Sequence, residues 1–183
     1  MTTARKPRFA TVWLGGCSGC HMSLLDIDEW VIDLAEMVDV VFTPIADIKE
    51  FPQDVDIVLV EGAVANEENL EMLLRVRERS KILIAFGDCA VTGNVTAMRN
   101  PLGTAQVVLK SVYLEHGDLN AQIPEERHIV PVLLDQVQPL HAVVKVEKYI
   151  HCCPPSAAAI RRALEGVLAE FAAAQMEPAV LAA

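Results

Sequence analysis

The 183-residue chain is 52% hydrophobic, only 5% aromatic, and carries a formal charge of −10. That length suits one domain over 1–183 with an aliphatic core, and the acidic balance argues against a nucleic-acid partner, which would want a basic face. No uninterrupted apolar run approaches the ~20 residues of a membrane span, and five cysteines in a chain of this length do not read as a secreted disulfide framework.

Short Val/Ile/Leu-rich runs at 8–14 (RFATVWL), 38–43 (VDVVFT), 55–60 (VDIVLV) and 81–86 (KILIAF) read as strands covered on both faces. Between the first two, Leu24, Leu25, Ile27, Val31, Leu34 and Ala35 recur at helical spacing and predict a helix from Ser23 to Met37. A second helix is expected after Asn66, its cap, with Arg75, Arg77 and Arg79 crowding its C-terminal end. The stretch from Thr104 to Leu114 reads as a further helix followed by a polar loop. A fifth strand is expected at 128–134, pushed towards an edge or a loop by Pro131, and another at 143–150. The Ala-rich run from Ser156 to Ala174, preceded by Pro154 and Pro155, predicts the last helix, leaving 176–183 as a frayed or partner-docked tail. Strand alternating with helix implies an α/β fold, a doubly wound parallel sheet with helices on both faces.

Ligands in such sheets lie beyond the carboxyl ends of the strands. Four cysteines fall there: Cys17 and Cys20 in GGCSGC, Cys89 in FGDCAVTG, and Cys153 in HCCPPSA. Four converging thiolates suit an iron–sulfur cluster or a structural zinc. Zinc sites usually present two close pairs, whereas here one pair is joined by two singles after 68 and 63 intervening residues. A thioredoxin-like reading of Cys17–Cys20 leaves Cys89 and Cys153 unexplained, and each cysteine taken singly is as well read as an inert buried thiol. Glycines at 15, 16, 19, 87 and 93 open the loops to close backbone approach. No GxGxxG follows a strand, no GxxxxGK[ST] is present, and no Ser/His/Asp pattern suggests a hydrolase.

Taken together and in order, GGCSGC, VEGAV (60–64), GDCAVTGN (87–94) and CCPPSA (152–157) resemble the small subunit of [NiFe] hydrogenases, in the short form found in soluble NAD-reducing enzymes, over nearly the whole chain. The resemblance implies a flavodoxin-like fold holding one [4Fe-4S] cluster at the C-terminal edge of the sheet, with Cys17, Cys20, Cys89 and Cys153 as ligands. Glu61 matches a family glutamate near the cluster and the subunit contact. The implied partners are a large subunit carrying the nickel–iron centre and a flavin-bearing diaphorase module that reduces NAD⁺. On this expectation electrons pass one at a time through the cluster, the chain is not catalytic alone, and Trp13, Met22 and Val64 belong to an interface. FMN is a candidate further cofactor that the residues leave undecided. No cysteine follows Cys153, so one cluster is expected, and with no twin-arginine pair or signal core the expected location is the cytoplasm. The family usually has Pro-Gly before its last ligand where this chain has His151-Cys152, which removes the residue best suited to an unusual backbone angle. Related readings are hydrogenase small subunits linked to a deazaflavin or a disulfide reductase, and the quinone-reductase subunit of complex I. The last typically has adjacent cysteines where this chain has CxxC.

Overall fold

The computed structural model describes residues 5–117, 119–126 and 129–176. Five strands, β1 (Arg8–Trp13), β2 (Asp39–Phe42), β3 (Val55–Glu61), β5 (Ser80–Phe86) and β7 (Lys148–Ile150), form one sheet in the order β2-β1-β3-β5-β7, all neighbours parallel. Leaving out the two strands of a side ribbon, this is the 2-1-3-4-5 order of flavodoxin-like folds, which reverses direction between β1 and β3.

Strand alternation sorts the core into two layers. Phe9, Ile57, Leu59, Ile84, Phe86 and Ile150 point to one face and pack against α1 (Gly19–Leu25), α2 (Trp30–Met37) and α7 (Ala157–Met176). Ala10, Val12, Val58, Val60, Leu83 and Ala85 point to the other and meet Leu73 and Val76 of α3 (Glu67–Arg79) and Ala90 and Val91 of α4 (Asp88–Thr92). Every residue of β3 is buried, as a central strand covered on both faces must be. The expected doubly wound α/β architecture is therefore observed.

Local chemistry explains the ends. The Asn66 side chain accepts from Asn69 N–H at 2.7 Å, Glu67 and Glu68 occupy the first turn of α3, and Arg77 and Arg79 the last. Thr104 caps α6 (Ala105–Lys110), whose chain continues as a wider turn over Ser111–Glu115. At the amino edge of the sheet the buried Asp56 accepts from Arg5 (2.7 and 2.9 Å), Arg8 N–H (2.8 Å) and Lys81 (2.9 Å). Burial alone would raise its pKa, but these donors together lower it to about 2.

Three expectations are corrected. The helix expected from Ser23 to Met37 breaks at 26–29, where Asp28 takes a φ of +56°, a conformation Asp tolerates better than most residues. The break lets Leu24 and Ile27 before it, and Trp30 and Leu34 after it, all reach the same core layer. The strand expected at 128–134 starts only at Leu133, after Pro131. It runs to Gln138 as β6, which pairs antiparallel with β4 (Val64–Asn66) in a two-stranded ribbon outside the main sheet. The strand expected at 143–150 shrinks to Lys148–Ile150 because 140–144 turns back on Leu140 through Val143 and Val144 N–H bonds. Two short helices, α4 and α5 (Asn94–Ala97), add to the expected elements. Apart from Met176, which ends α7, the expected tail over 176–183 lies outside the described residues. Among the described residues no helix is long and apolar enough to cross a membrane.

Candidate metal centre

All four singled-out cysteines lie just past the carboxyl ends of sheet strands: Cys17 and Cys20 after β1, Cys89 after β5 and Cys153 after β7. Cys17 and Cys153 are exposed, Cys89 is half-buried and Cys20 is 7% exposed. All three loops leave the same edge of the sheet, and Cys17, Cys89 and Cys153 lie near enough to Cys20 to bear on the charge of its thiol. Burial, then the Glu61 carboxylate, then those three thiols push the Cys20 pKa up to about 12. Burial and Cys153 likewise raise Cys89, with hydrogen bonding from Thr96 working against the rise. The raised thiols of Cys20 and Cys89 become thiolates only beside concentrated positive charge, which a metal centre supplies.

Room for that centre comes from glycine. A Cβ on Gly87 would fall 2.1 Å from Cys20 Sγ, and one on Gly19 would fall 3.2 Å from Cys17 Sγ. Gly87 has φ +83° and ψ 163°, a region essentially reserved for glycine. Among the described residues no three His, Cys, Asp or Glu side chains lie close enough to hold a single metal ion. A lone tetrahedral zinc with bonds of about 2.3 Å would want its sulfurs roughly 4 Å apart. Four cysteines brought to one sheet edge by three loops are the donor type that either a tetrahedral zinc or a polynuclear iron–sulfur cluster uses.

Side chains that sequence reasoning under-reads pin the loops. Ser18, at the start of α1, has φ +65° and makes no capping bond of its own. Glu61, at the end of β3 and 2% exposed, holds the turn from a distance. Its carboxylate accepts from Cys20 N–H (3.3 Å) and His21 N–H (2.9 Å) and meets His21 Nδ1 at 2.5 Å. The sequence leaves Glu61 between a subunit contact and a plain strand-end carboxylate; burial makes it an internal anchor for the Cys17–Cys20 loop. His21, 1% exposed between Trp13 and Phe86, carries no sequence signal beyond its place after CxxC. The Ser23 hydroxyl donates to Pro155 O at 2.5 Å, tying α1 to the Cys153 loop. Asp88 meets Cys152 through two hydrogen bonds, tying that loop to Cys89.

Of the expected interface residues, Trp13 (39%) and Met22 (56%) are exposed, but Val64 is wholly buried because β4 packs it into the core. His151 is exposed and stacks on Tyr149, with ring centroids 6.3 Å apart. Cys152 is exposed and takes φ +95°, the unusual backbone angle anticipated at the position where the resembled family carries glycine.

The model of the NADH ubiquinone oxidoreductase 20 kDa subunit family matches residues 17–167. The chain is 38% identical over 169 residues to the delta subunit of the NAD-reducing hydrogenase HoxS of Cupriavidus necator, covering 89% of this chain and 79% of that one. It is 40% identical over 169 residues to a subunit of the F420-non-reducing hydrogenase Vhu of Methanococcus voltae, covering 89% of this chain and 58% of the relative. The chain spans about half to three-fifths the length of the methanogen relatives it matches. A crystal structure of an NAD⁺-reducing [NiFe]-hydrogenase in the H₂-reduced state contains a chain that superposes with a TM-score of 0.84 at 39% identity, covering 91% of this chain and 93% of that one.

Proposed function

This chain belongs to the NADH ubiquinone oxidoreductase 20 kDa subunit family, and from that premise we propose that it is the electron-transfer small subunit of a cytoplasmic [NiFe] hydrogenase. Cys17, Cys20, Cys89 and Cys153 would hold one [4Fe-4S] cluster between a large subunit bearing the nickel–iron centre and a diaphorase module that reduces NAD⁺. The bound cluster supplies one-electron transfer, with a potential set by charge, hydrogen bonding and exposure.

The chain's own residues do the rest. Glu61 fixes the backbone of the CxxC turn by accepting two successive N–H groups. Gly87 leaves space for the Cys20 sulfur. Phe86 and Ile150 share the buried apolar layer that holds Cys20, while Trp13 and Met22, exposed near the Cys17–Cys20 loop, would offer contact surface to a partner. The observation that supports the reading is the placement of four cysteines, on three loops, just past the carboxyl ends of β1, β5 and β7, with Cys20 Sγ occupying the volume a side chain at 87 would need.

The test is hydrogen-dependent reduction of NAD⁺ by the complex purified without oxygen through this chain. Activity that disappears when the nickel-binding partner is omitted supports the reading. Activity with a viologen dye but not with NAD⁺ would keep the hydrogenase and change the acceptor. The 40% identity to a subunit of an F420-non-reducing hydrogenase favours that second reading, a hydrogenase delivering electrons to another acceptor. No hydrogen activity in a complex with intact cluster and partners would favour the quinone-reductase branch of the family.

A further inference from the structure

We propose that Asp88 is a positioning residue: by clamping the backbone of Cys152 it sets where the sulfur of Cys153 lies relative to that of Cys89. The inference rests on the cluster reading above and assigns Cys152 a backbone role in place of ligation.

β5 and β7 run parallel, with Phe86 opposite Ile150. Beyond the strand ends the ladder continues as Gly87 N–H donates to Ile150 O at 2.8 Å and Asp88 N–H to Cys152 O at 3.1 Å. Asp88 Oδ1 then accepts from Cys152 N–H at 2.7 Å, closing a reciprocal two-bond ring. Cys152 needs such a hold. Its φ of +95° is one an L-residue rarely keeps unless its surroundings enforce it, and Cys152 and Cys153 are both exposed, so packing does not enforce it. The clamp joins the two loops at the residues immediately preceding Cys89 and Cys153, where a small backbone rotation moves a sulfur most directly. A charged acceptor also makes a stronger hydrogen bond than a neutral one, but the geometry needs only an acceptor, which asparagine retains.

Wild type, Asp88→Ala, Asp88→Asn, Cys152→Gly and the double variant Asp88→Ala/Cys152→Gly are compared as complexes purified without oxygen. The readouts are iron and acid-labile sulfide per chain, and the EPR spectrum and midpoint potential of the reduced cluster. Asp88→Ala is expected to lower occupancy several-fold and to alter the spectrum and potential of what remains. Asp88→Asn and Cys152→Gly should stay close to wild type. The double variant should recover most of the iron, since glycine keeps φ +95° without help. Wild-type iron, spectrum and potential in Asp88→Ala would overturn the inference alone. A loss that Cys152→Gly does not restore would also overturn it, because Asp88 would then act through the general stability of α4. If Asp88→Ala fails to fold, the double variant decides: iron recovered supports the clamp, iron absent overturns it. A wild-type chain without iron would overturn the cluster reading and this inference with it.

Discussion

Substitution of Gly87 by alanine should remove the cluster while leaving most of the fold. A Cβ at position 87 would sit 2.1 Å from Cys20 Sγ, so the sulfur must retreat by roughly 1.5 Å to reach an ordinary contact distance. It has nowhere easy to go, because Cys20 is buried in the layer that contains Phe86 and Ile150, and its N–H is held by Glu61. Alanine would also have to adopt φ +83° with ψ 163°, at a cost of about 1–3 kcal/mol. Relief of the clash by local repacking adds about 1–3 kcal/mol, the usual range for overpacking. The sum, about 2–6 kcal/mol, is a large part of a typical domain's stability, and the clash component falls directly on the Cys20 sulfur proposed as an iron ligand. Iron and sulfide content, visible absorption and urea denaturation of the purified complex read the two effects separately. Gly166→Ala is the matched control, since nothing lies within 4 Å of its Cβ and it sits inside α7. It should stabilise the chain by about 0.5–1 kcal/mol and leave the iron unchanged. A Gly87→Ala complex with wild-type iron would refute the close approach on which the site is built.

Among the cysteines, Cys153→Ala should abolish the cluster and Cys152→Ala should leave most of it; equal iron and sulfide in the two variants would sink the assignment. Asp56 is held at a pKa of about 2, below its unfolded value near 3.9, so the stability it contributes is complete above pH ~4 and disappears as the pH falls through about 2. Asp56→Asn should therefore cost about 2 kcal/mol at pH 7 in urea denaturation, and the gap to wild type should close on acidification. A gap that widened towards pH ~3 would contradict the sign. Asn66→Ala, which leaves Asn69 N–H without its acceptor, should cost about 1 kcal/mol with no change in iron content. A loss of iron in that variant would mean that α3 supports the centre in a way the geometry does not predict.

The sheet is legible in the sequence because its strands are continuous Val/Ile/Leu runs. Buried central strands such as β3 and β5 leave no polar face to obscure the signal, and four of the five appear at nearly their observed bounds. β2 keeps an apolar run although it is an edge strand with Asp39 and Val40 exposed, and contrary to expectation it is not covered on both faces. Expectation fails where tertiary packing overrides local pattern. Asp28 interrupts a helical periodicity that continues on both sides of it. β6 and β7 owe their extents to partners distant in sequence. Val64 looks like a loop residue beside a motif, yet β4 turns it inwards. The four thiols are legible as residues at strand ends. The groups that hold them are not, because Glu61 reaching His21 and Asp88 reaching Cys152 span 40 and 64 residues and leave no periodic trace. CxxC followed by histidine, and glutamate closing a buried strand, are the signals that flag the first pair.

The central claim is that three loops of this fold hold one redox-active cluster on four cysteines. Metal and acid-labile sulfide analysis of the complex purified without oxygen, paired with EPR before and after exposure to hydrogen, tests it most directly. About four iron and four sulfide attributable to this chain, lost in Cys17→Ala, Cys20→Ala, Cys89→Ala and Cys153→Ala, with a signal that hydrogen reduces, is the result the account predicts. Stoichiometric zinc in place of iron, or iron that survives all four substitutions, would contradict it.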